Sequence, residues 1–150
     1  MNTKAIIRNV KETDKQAVIH LLRLNTPLYF SPVEEKDLID YLNHHAENYY
    51  IVEYDNTIAG CGGFNLSDDL TIGKISWDIF HPDYQSKGLG SLLLRYRIEK
   101  LKEYKNIQTI TVRTSQLAHK FYSKNRFQLK EIVMDYWAPG FDLYRMQYLD

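Results

Sequence analysis

The chain has very little of what makes covalent cross-links or metal sites. It contains one cysteine in 150 residues, Cys61, so no internal disulfide can form. Cys61 lies in an apolar stretch with no obvious base near it in sequence, which favours a small buried core residue over a thiol nucleophile. No histidine, cysteine and carboxylate residues have the spacing of a metal site. We therefore expect neither a disulfide nor a bound metal.

An excess charge and a long apolar run are also missing. The 19 basic residues balance the 19 acidic ones, so no general field attracts nucleic acid or an anionic membrane. No N-terminal apolar run resembles a signal peptide or a transmembrane helix. These features predict a cytoplasmic protein that binds neither nucleic acid nor membrane.

The residues that are present predict a single α/β domain over residues 1–150. The length allows a substantial core, and 44% of the residues are hydrophobic. Helices are expected to begin near Asp14, at Ser31, after Gly90 and at Ser115. Alternating apolar runs predict seven strands, over residues 5–10, 49–54, 57–66, 74–80, 107–112, 127–136 and 141–148. We expect a mixed, mostly antiparallel sheet of about seven strands flanked by about four helices.

The segment from Gln85 to Gly90 follows an apolar strand and opens an amphipathic helix. The first N–H groups of a helix have no intrahelical partner and carry partial positive charge, so anions bind there. Gly88 and Gly90 allow a close backbone approach, and Lys87 adds a cation. The segment therefore predicts a phosphate or pyrophosphate loop. Its spacing fits neither the P-loop nor the dinucleotide fingerprint, and an ordinary helix start with a glycine turn stays an alternative.

The order of elements around this loop resembles the GNAT superfamily of N-acetyltransferases. The acetyl-CoA loop of that family has the pattern Gln/Arg-x-x-Gly-x-Gly/Ala, which residues 85–90 match. The later run from Ala118 to Phe127 resembles the family's Phe-Tyr-x-x-x-Gly-Phe segment, with Arg126 in place of the glycine. The resemblance covers Ile75 to Phe127 well and the rest of the chain more loosely. It implies one N-acetyltransferase domain that uses acetyl-CoA as cosubstrate, without a metal.

The same resemblance implies how acetyl-CoA would be held. Backbone amides of the loop would bind the pyrophosphate, and the pantetheine arm would pair with the edge of the preceding strand. A bulge in that strand would aim an amide near Asp78 at the thioester carbonyl. The residues implied in cofactor binding are Ile79, Phe80, His81, Gln85, Ser86, Lys87, Gly88, Leu89, Gly90, Ser91 and Ser115.

Tyr122 is the predicted general acid. By resemblance it matches the family tyrosine that lies beside the CoA sulfur. The unperturbed pKa of a phenol, about 10, is near that of a thiol, about 8.5, so proton transfer between them is not steeply uphill. The alternative is a core aromatic residue on an amphipathic helix.

Asp78 is the second predicted catalytic residue. Strand alternation places Lys74, Ser76, Asp78 and Phe80 on one face. Lys74 and Ser76 occupy the positions that carry the general base in several members of the family, and neither is a good base. Asp78 could act as the base, bind the ammonium group of the substrate, or be a structural carboxylate.

The amine acceptor is expected to enter opposite the cofactor, between the first two helices and the last hairpin. This position implicates the aromatic residues Tyr29, Phe30, Tyr136 and Trp137. An aromatic-walled pocket with one carboxylate would suit a small cationic amine. Alternatively, these aromatic residues close the domain or form a homodimer face.

Two further functions are compatible with the sequence. The absence of a Glu or His base on the strand before the loop fits a catalytically weak sensor of CoA or acyl-CoA. The loop could instead serve a nucleotide-binding regulatory domain with another phosphate ligand. Competition among CoA, ATP and NAD would separate the latter function from acetyl transfer.

Overall fold

The computed structural model describes residues 4–150, which build one sheet with helices on both faces. The strands are β1 (Ala5–Asn9), β2 (Tyr49–Tyr54), β3 (Thr57–Leu66), β4 (Ile72–Phe80), β5 (Thr109–Thr114), β6 (Phe127–Ala138) and β7 (Phe141–Tyr148). The helices are α1 (Lys15–Leu24), α2 (Glu35–His44), α3 (Leu89–Leu101) and α4 (His119–Lys124). Single 3-10 turns precede α1, α2 and the loop before α3. Within the described part of the chain, no helix is long and apolar enough to span a membrane.

The sheet has the order β1-β2-β3-β4-β5-β7-β6. β4 and β5 are parallel, and every other neighbouring pair is antiparallel. The predicted fold class, a mixed and mostly antiparallel sheet with four helices, is confirmed. The parallel pair is joined by α3, the crossover helix that follows the predicted phosphate loop.

Two hydrophobic cores lie on opposite faces of the sheet, as strand alternation requires. On β2, Tyr50 and Val52 pack in the cluster under α3, which also contains Leu93. The alternate residue Ile51 packs in the cluster under α1 and α2. We call these two sides the α3 face and the α1–α2 face.

Several local predictions are confirmed because they depend on short-range backbone chemistry. Asp55 and Asn56 both have positive φ, 52° and 63°, as a two-residue hairpin turn requires. Ser31 and Glu34 form the predicted capping box before α2, and Pro32 occupies the first position of that turn.

The ends of several elements differ from the prediction. β5 lies two residues further along than residues 107–112, and α3 begins at Leu89 rather than after Gly90. α4 begins at His119 rather than at Ser115, so Ser115 is not its N-cap. The Ser115 hydroxyl instead accepts a hydrogen bond from the Leu117 amide at 3.2 Å, which stabilises a separate turn before the helix.

The predicted alternation along β4 is wrong beyond Ser76. Ile75 packs in the α3-face cluster, whereas Ile79 packs in the α1–α2-face cluster, although the two are an even number of residues apart. The cause is a bulge at Trp77, whose φ is +50°, opposite the register shift between Cys61 and Gly63. As a result Asp78 turns to the α3 face, away from Lys74 and Ser76.

Candidate active site

A cleft opens where β4 and β5 separate. The two strands pair from Ile72 with Thr109 to Ile75 with Val112, and the bulged end of β4 has no further register with β5. The cleft has a volume of about 1190 Å³ and is lined by β4, β5, the start of α3, and α4. The bulge that reorients Asp78 therefore also creates the space beside it.

The predicted phosphate loop forms one end of this cleft. Gly88 has φ +77°, a conformation that side chains rarely adopt, and a Cβ there would meet open space. The first backbone bond into α3 is donated by Leu92 to Gly88. The amides of residues 88–91 have no backbone acceptor within residues 4–150. Several unpaired N–H groups at a helix N-terminus fit a pyrophosphate.

The Gln85 side chain fastens this loop to α1. Its Nε2 donates to the Asn25 side-chain oxygen and to the Phe80 carbonyl, both at 3.1 Å. Asn25 is buried and donates to the same Phe80 carbonyl and to the Leu21 carbonyl, both at 2.9 Å. The Gln85 side chain therefore holds the loop in position, whereas the sequence analysis assigned Gln85 to cofactor binding.

Eight of the eleven predicted cofactor residues line the cleft: Ile79, Phe80, Gln85, Ser86, Gly88, Gly90, Ser91 and Ser115. The other three have different surroundings. The Lys87 ammonium lies 5.7 Å from the centre of the Tyr54 ring. Leu89 is buried in the α3-face core. The His81 ring accepts a hydrogen bond from the Asp83 amide at 3.1 Å, as the cap of a 3-10 turn.

Asp78 and Tyr122, the two predicted catalytic residues, are in direct contact. The Tyr122 hydroxyl donates to Asp78 Oδ2 at 2.5 Å, across 44 positions of sequence. The other carboxylate oxygen, Oδ1, lies 2.5 Å from Arg97 Nη1. That ion pair lacks the angle of a hydrogen bond, so charge attraction joins it. Both carboxylate oxygens are therefore engaged.

Arg97 is the residue that sequence reasoning missed. Its side chain is completely buried and donates to the carbonyls of Gly63 and Leu93 at 3.0 and 3.3 Å, while Nη2 lacks a partner within residues 4–150. The sequence does contain an indication of this role, because Arg97 lies on the apolar face of α3 together with Ile98 and Leu101. A charged residue on such a face predicts a buried partner.

Gly62 makes room for this ion pair. A Cβ at Gly62 would overlap Asp78 Oδ1 and approach Arg97 Nη1 to 2.9 Å. The group that comes close to the β3 backbone at this position is therefore the ion pair.

The surroundings of Tyr122 raise its pKa well above 10.0. Burial is the largest cause, followed by the negative charge of Asp78. The phenol is thus fully protonated at neutral pH, and its proton points to Asp78 in this structure. Tyr122 is buried in the α3-face core and also lines the cleft.

Three of the four predicted acceptor-binding aromatics, Tyr29, Phe30 and Trp137, line the cleft. Phe30 stacks on Trp77 with ring centres 6.2 Å apart. Trp137 Nε1 donates to the Thr114 carbonyl at 3.1 Å. Tyr136 is outside the lining and about half exposed, and its hydroxyl accepts a hydrogen bond from Arg113.

Thiol and metal chemistry find no support in the described residues. Cys61 is fully buried in the α1–α2-face core, and burial raises the pKa of its thiol to about 12. Within residues 4–150, no group of His, Cys, Asp and Glu is arranged to hold a metal ion.

Comparison with known proteins agrees with this geometry. Residues 16–127 match the model of the acetyltransferase (GNAT) family. The amino-acid acetyltransferase of Mannheimia succiniciproducens is 26% identical over 117 residues, which are 78% of this chain and 26% of that protein. The chain spans about a quarter of the length of such curated relatives.

Solved structures show the same fold at low identity. Ard1 from Thermoplasma volcanium superposes with a TM-score of 0.81 at 16% identity, over 99% of this chain and 100% of that one. N-acetylglutamate synthase from Neisseria gonorrhoeae, in complex with coenzyme A and N-acetyl-glutamate, superposes with a TM-score of 0.74 at 19% identity. That alignment covers 96% of this chain and 34% of the synthase. With its family match over most of its length, the chain belongs to the acetyltransferase (GNAT) family and is an acyltransferase domain.

Proposed function

We propose that this protein transfers an acetyl group from acetyl-CoA to a primary amine, directly, in a ternary complex. One observation carries the proposal: a single cleft joins the unpaired amides before α3 to the hydroxyl of Tyr122. A thioester held by its pyrophosphate at one end would place its sulfur further along this cleft. The coenzyme A in the gonococcal synthase complex supports the same cofactor for this fold.

Acetyl transfer forms a C–N bond and breaks the C–S bond, and a proton from the attacking nitrogen ends on the sulfur. We assign Tyr122 to the sulfur side of this exchange. Its phenol lines the cleft and remains protonated. Rotation of the hydroxyl about its C–O bond would turn its one proton from Asp78 to the departing thiolate, which then accepts it. The raised pKa of Tyr122 makes complete proton transfer to the sulfur less favourable. A hydrogen bond from the phenol to the sulfur would still stabilise the negative charge that develops there.

Asp78 acts through Tyr122 in this proposal. One carboxylate oxygen accepts a hydrogen bond from the Tyr122 hydroxyl, and the other faces Arg97. Asp78 is therefore poorly placed to take a proton from the amine acceptor. The carboxylate therefore positions the phenol. A general-base role for Asp78 is the competing assignment, and the pH profile of an Asp78 variant distinguishes the two roles.

The acceptor is proposed to be a small molecule. It would enter between Phe30, which stacks on Trp77, and Trp137, all three of which line the cleft. The relatives named amino-acid acetyltransferase support an acceptor of that size.

The first experiment is calorimetric titration of the protein with acetyl-CoA. Gly88→Glu places a carboxylate and an unfavourable φ at the loop, and we expect binding to fall by at least about 100-fold. Gly140→Glu is the matched control, because Gly140 also has a positive φ, +84°, with open space around it and lies in the β6–β7 turn. Equal losses in both variants, or no binding by the folded wild type, would contradict the cofactor site.

A sensor of acyl-CoA is the second candidate function. The observation that favours it is that both carboxylates lining the cleft, Glu34 and Asp78, already have partners. The described lining therefore offers no unengaged carboxylate as general base. Steady release of CoA with any primary amine would exclude the sensor, whereas tight binding of acetyl-CoA without turnover across an amine panel would favour it.

A further inference from the structure

The α1–α2 face of the sheet carries basic side chains where the strands separate. On β5, Ile110 and Val112 are buried on the α3 face, so Thr111 and Arg113 point to the opposite side. By the same alternation Lys74 is opposite to Ile75, and Arg145 is opposite to Met146. Lys74, Arg113 and Arg145 all line the cleft, and we call them the basic cluster.

Two members of the basic cluster are direct cross-strand neighbours. Arg113 of β5 is in register with Arg145 of β7, and like charges in that position are destabilising. Arg145 is paired with Glu131 at 3.0 Å. Arg113 and Lys74 make no ion pair with any residue in the range 4–150. Glu131 therefore offsets the charge of Arg145, whereas Arg113 has no carboxylate partner within residues 4–150. This remaining positive charge indicates that an anion completes the site.

Aromatic side chains hold Arg113 in place. Its guanidinium carbon lies 4.9 Å from the centre of the Tyr136 ring and 5.6 Å from that of Trp137. One Nη2 proton goes to the Tyr136 hydroxyl, which leaves the remaining donors of the fork available. A guanidinium fixed in this way is preorganised for the two oxygens of a carboxylate.

Among the described residues that line the cleft, the two carboxylates are Asp78 and Glu34, and neither pairs with this cluster. Asp78 lies on the α3 face, paired with Arg97, and Glu34 is buried and accepts the Ser31 amide at 2.8 Å. The cofactor phosphates are also an unsuitable partner, because the proposed phosphate loop opens α3, which packs on the other face of the sheet. The expectation of a small cationic amine, drawn from one carboxylate in an aromatic pocket, does not include this basic cluster, which favours an acceptor that also has a negative group.

We propose that the amine acceptor carries a carboxylate group, as a free amino acid does, and that Arg113, with Lys74 beside it, binds that carboxylate. This inference rests on the proposed function, since it assigns the acceptor of the same cleft. It makes Arg113 the residue that separates amino acids from simple amines and polyamines.

The test compares the twenty L-amino acids with their carboxamides and with spermidine, by CoA release from acetyl-CoA. The amides retain the amine and the side chain but lack the negative charge. We expect the best amino acid to exceed its own amide at least tenfold in kcat/KM. A preference for amides or for spermidine would overturn the proposal.

Arg113→Met then assigns the preference to one residue. We expect it to raise the KM of the best amino acid at least tenfold with little change in kcat, and to leave kcat/KM for the amide unchanged. Arg113→Lys should restore part of the affinity, and Arg95→Met, an exposed arginine of α3, is the matched control. Equal losses for acid and amide would contradict the assignment.

A failure of the proposed function would give a different result. In that case the wild type would bind acetyl-CoA but acetylate no amine. The carboxylate site is then tested by NMR titration of the protein with N-acetyl amino acids and their amides in the presence of CoA. Binding of the acids that is lost in Arg113→Met would support the site, and equal binding of acids and amides would overturn it.

Discussion

Two groups of charged side chains near the cleft, the Arg97–Asp78 ion pair and the basic cluster, have opposite surroundings. Arg97 and Asp78 are paired under α3, and the arginine is completely buried. Arg113 and Lys74 are both exposed, and neither has a carboxylate partner within residues 4–150. A buried ion pair is compatible with a stable fold only while both of its members are present, because a buried charge without its partner strongly destabilises the protein. An exposed cation without a partner contributes little to stability and is available to a ligand.

The largest expected effect comes from breaking the buried pair. Arg97→Leu removes the cation from the Asp78 carboxylate, whose side chain is only 12% exposed, and we expect a loss of about 3–5 kcal/mol in the free energy of unfolding. Urea denaturation followed by circular dichroism measures this change. Arg113→Met should change the same quantity by less than about 0.5 kcal/mol, as exposed substitutions usually do.

The double variant Arg97→Leu, Asp78→Leu sharpens the comparison. Replacing both members of a buried pair by apolar residues is often neutral, so most of the stability should return. Acetyl transfer should stay low, because Tyr122 has lost the carboxylate that holds its hydroxyl. If activity returned together with stability, Asp78 would have no role in positioning the phenol.

Tyr122→Phe is expected to give the next largest effect. It removes the hydroxyl and leaves the ring in the α3-face core, so kcat should fall by about 10²-fold, the usual contribution of a general acid. Calorimetry should show acetyl-CoA binding close to that of the wild type, since the loop amides are unchanged. An unchanged kcat would exclude Tyr122 as the acid.

These differences also mark how far the sequence could be interpreted. The hairpin turn at Asp55–Asn56, the capping box of Ser31 and the loop at Gly88 are short-range backbone patterns, and the structure has each of them. The contact between Asp78 and Tyr122 spans 44 positions and depends on the bulge at Trp77. The family resemblance implies a bulge in this strand, but no local pattern places its positive φ at Trp77, so strict alternation puts Asp78 on the wrong face.

The basic cluster shows the same limit. Arg113 and Arg145 become neighbours only through the register of β5 with β7, which the sequence alone does not give. From the sequence, Lys74 is only a poor general base on β4, because its neighbours on β5 and β7 are not known. The predicted acceptor aromatics, by contrast, include Tyr136 and Trp137, and these are the residues that hold Arg113.

The pH dependence of acetyl transfer tests the link between Asp78 and Tyr122. The pKa of Tyr122 is raised by burial and by the charge of Asp78, so loss of its proton should not limit the rate until the pH is above 10.0. Asp78→Asn removes the second cause, and the alkaline limit of kcat should move to lower pH. Disappearance of the acidic limb of the profile in the same variant would instead identify Asp78 as the general base.

Glu34 is intermediate between the two kinds of charge, and its expected effect is the smallest. Its carboxylate is buried, and within residues 4–150 the Ser31 amide is its one hydrogen-bond partner. Burial raises the pKa of Glu34 above 4.5. Folding therefore favours the protonated form, so this group stabilises the protein at acidic pH and the stabilisation is lost as the pH rises through the raised pKa.

Glu34→Gln keeps an oxygen for the cap and removes the charge. Relative to the wild type, the variant should gain stability in urea denaturation as the pH rises above 4.5, and it should keep that gain above the raised pKa. A parallel pH dependence in both proteins would show that burial of this carboxylate carries no cost, and the contrast between buried and exposed charge would then rest on Arg97 and Asp78 alone.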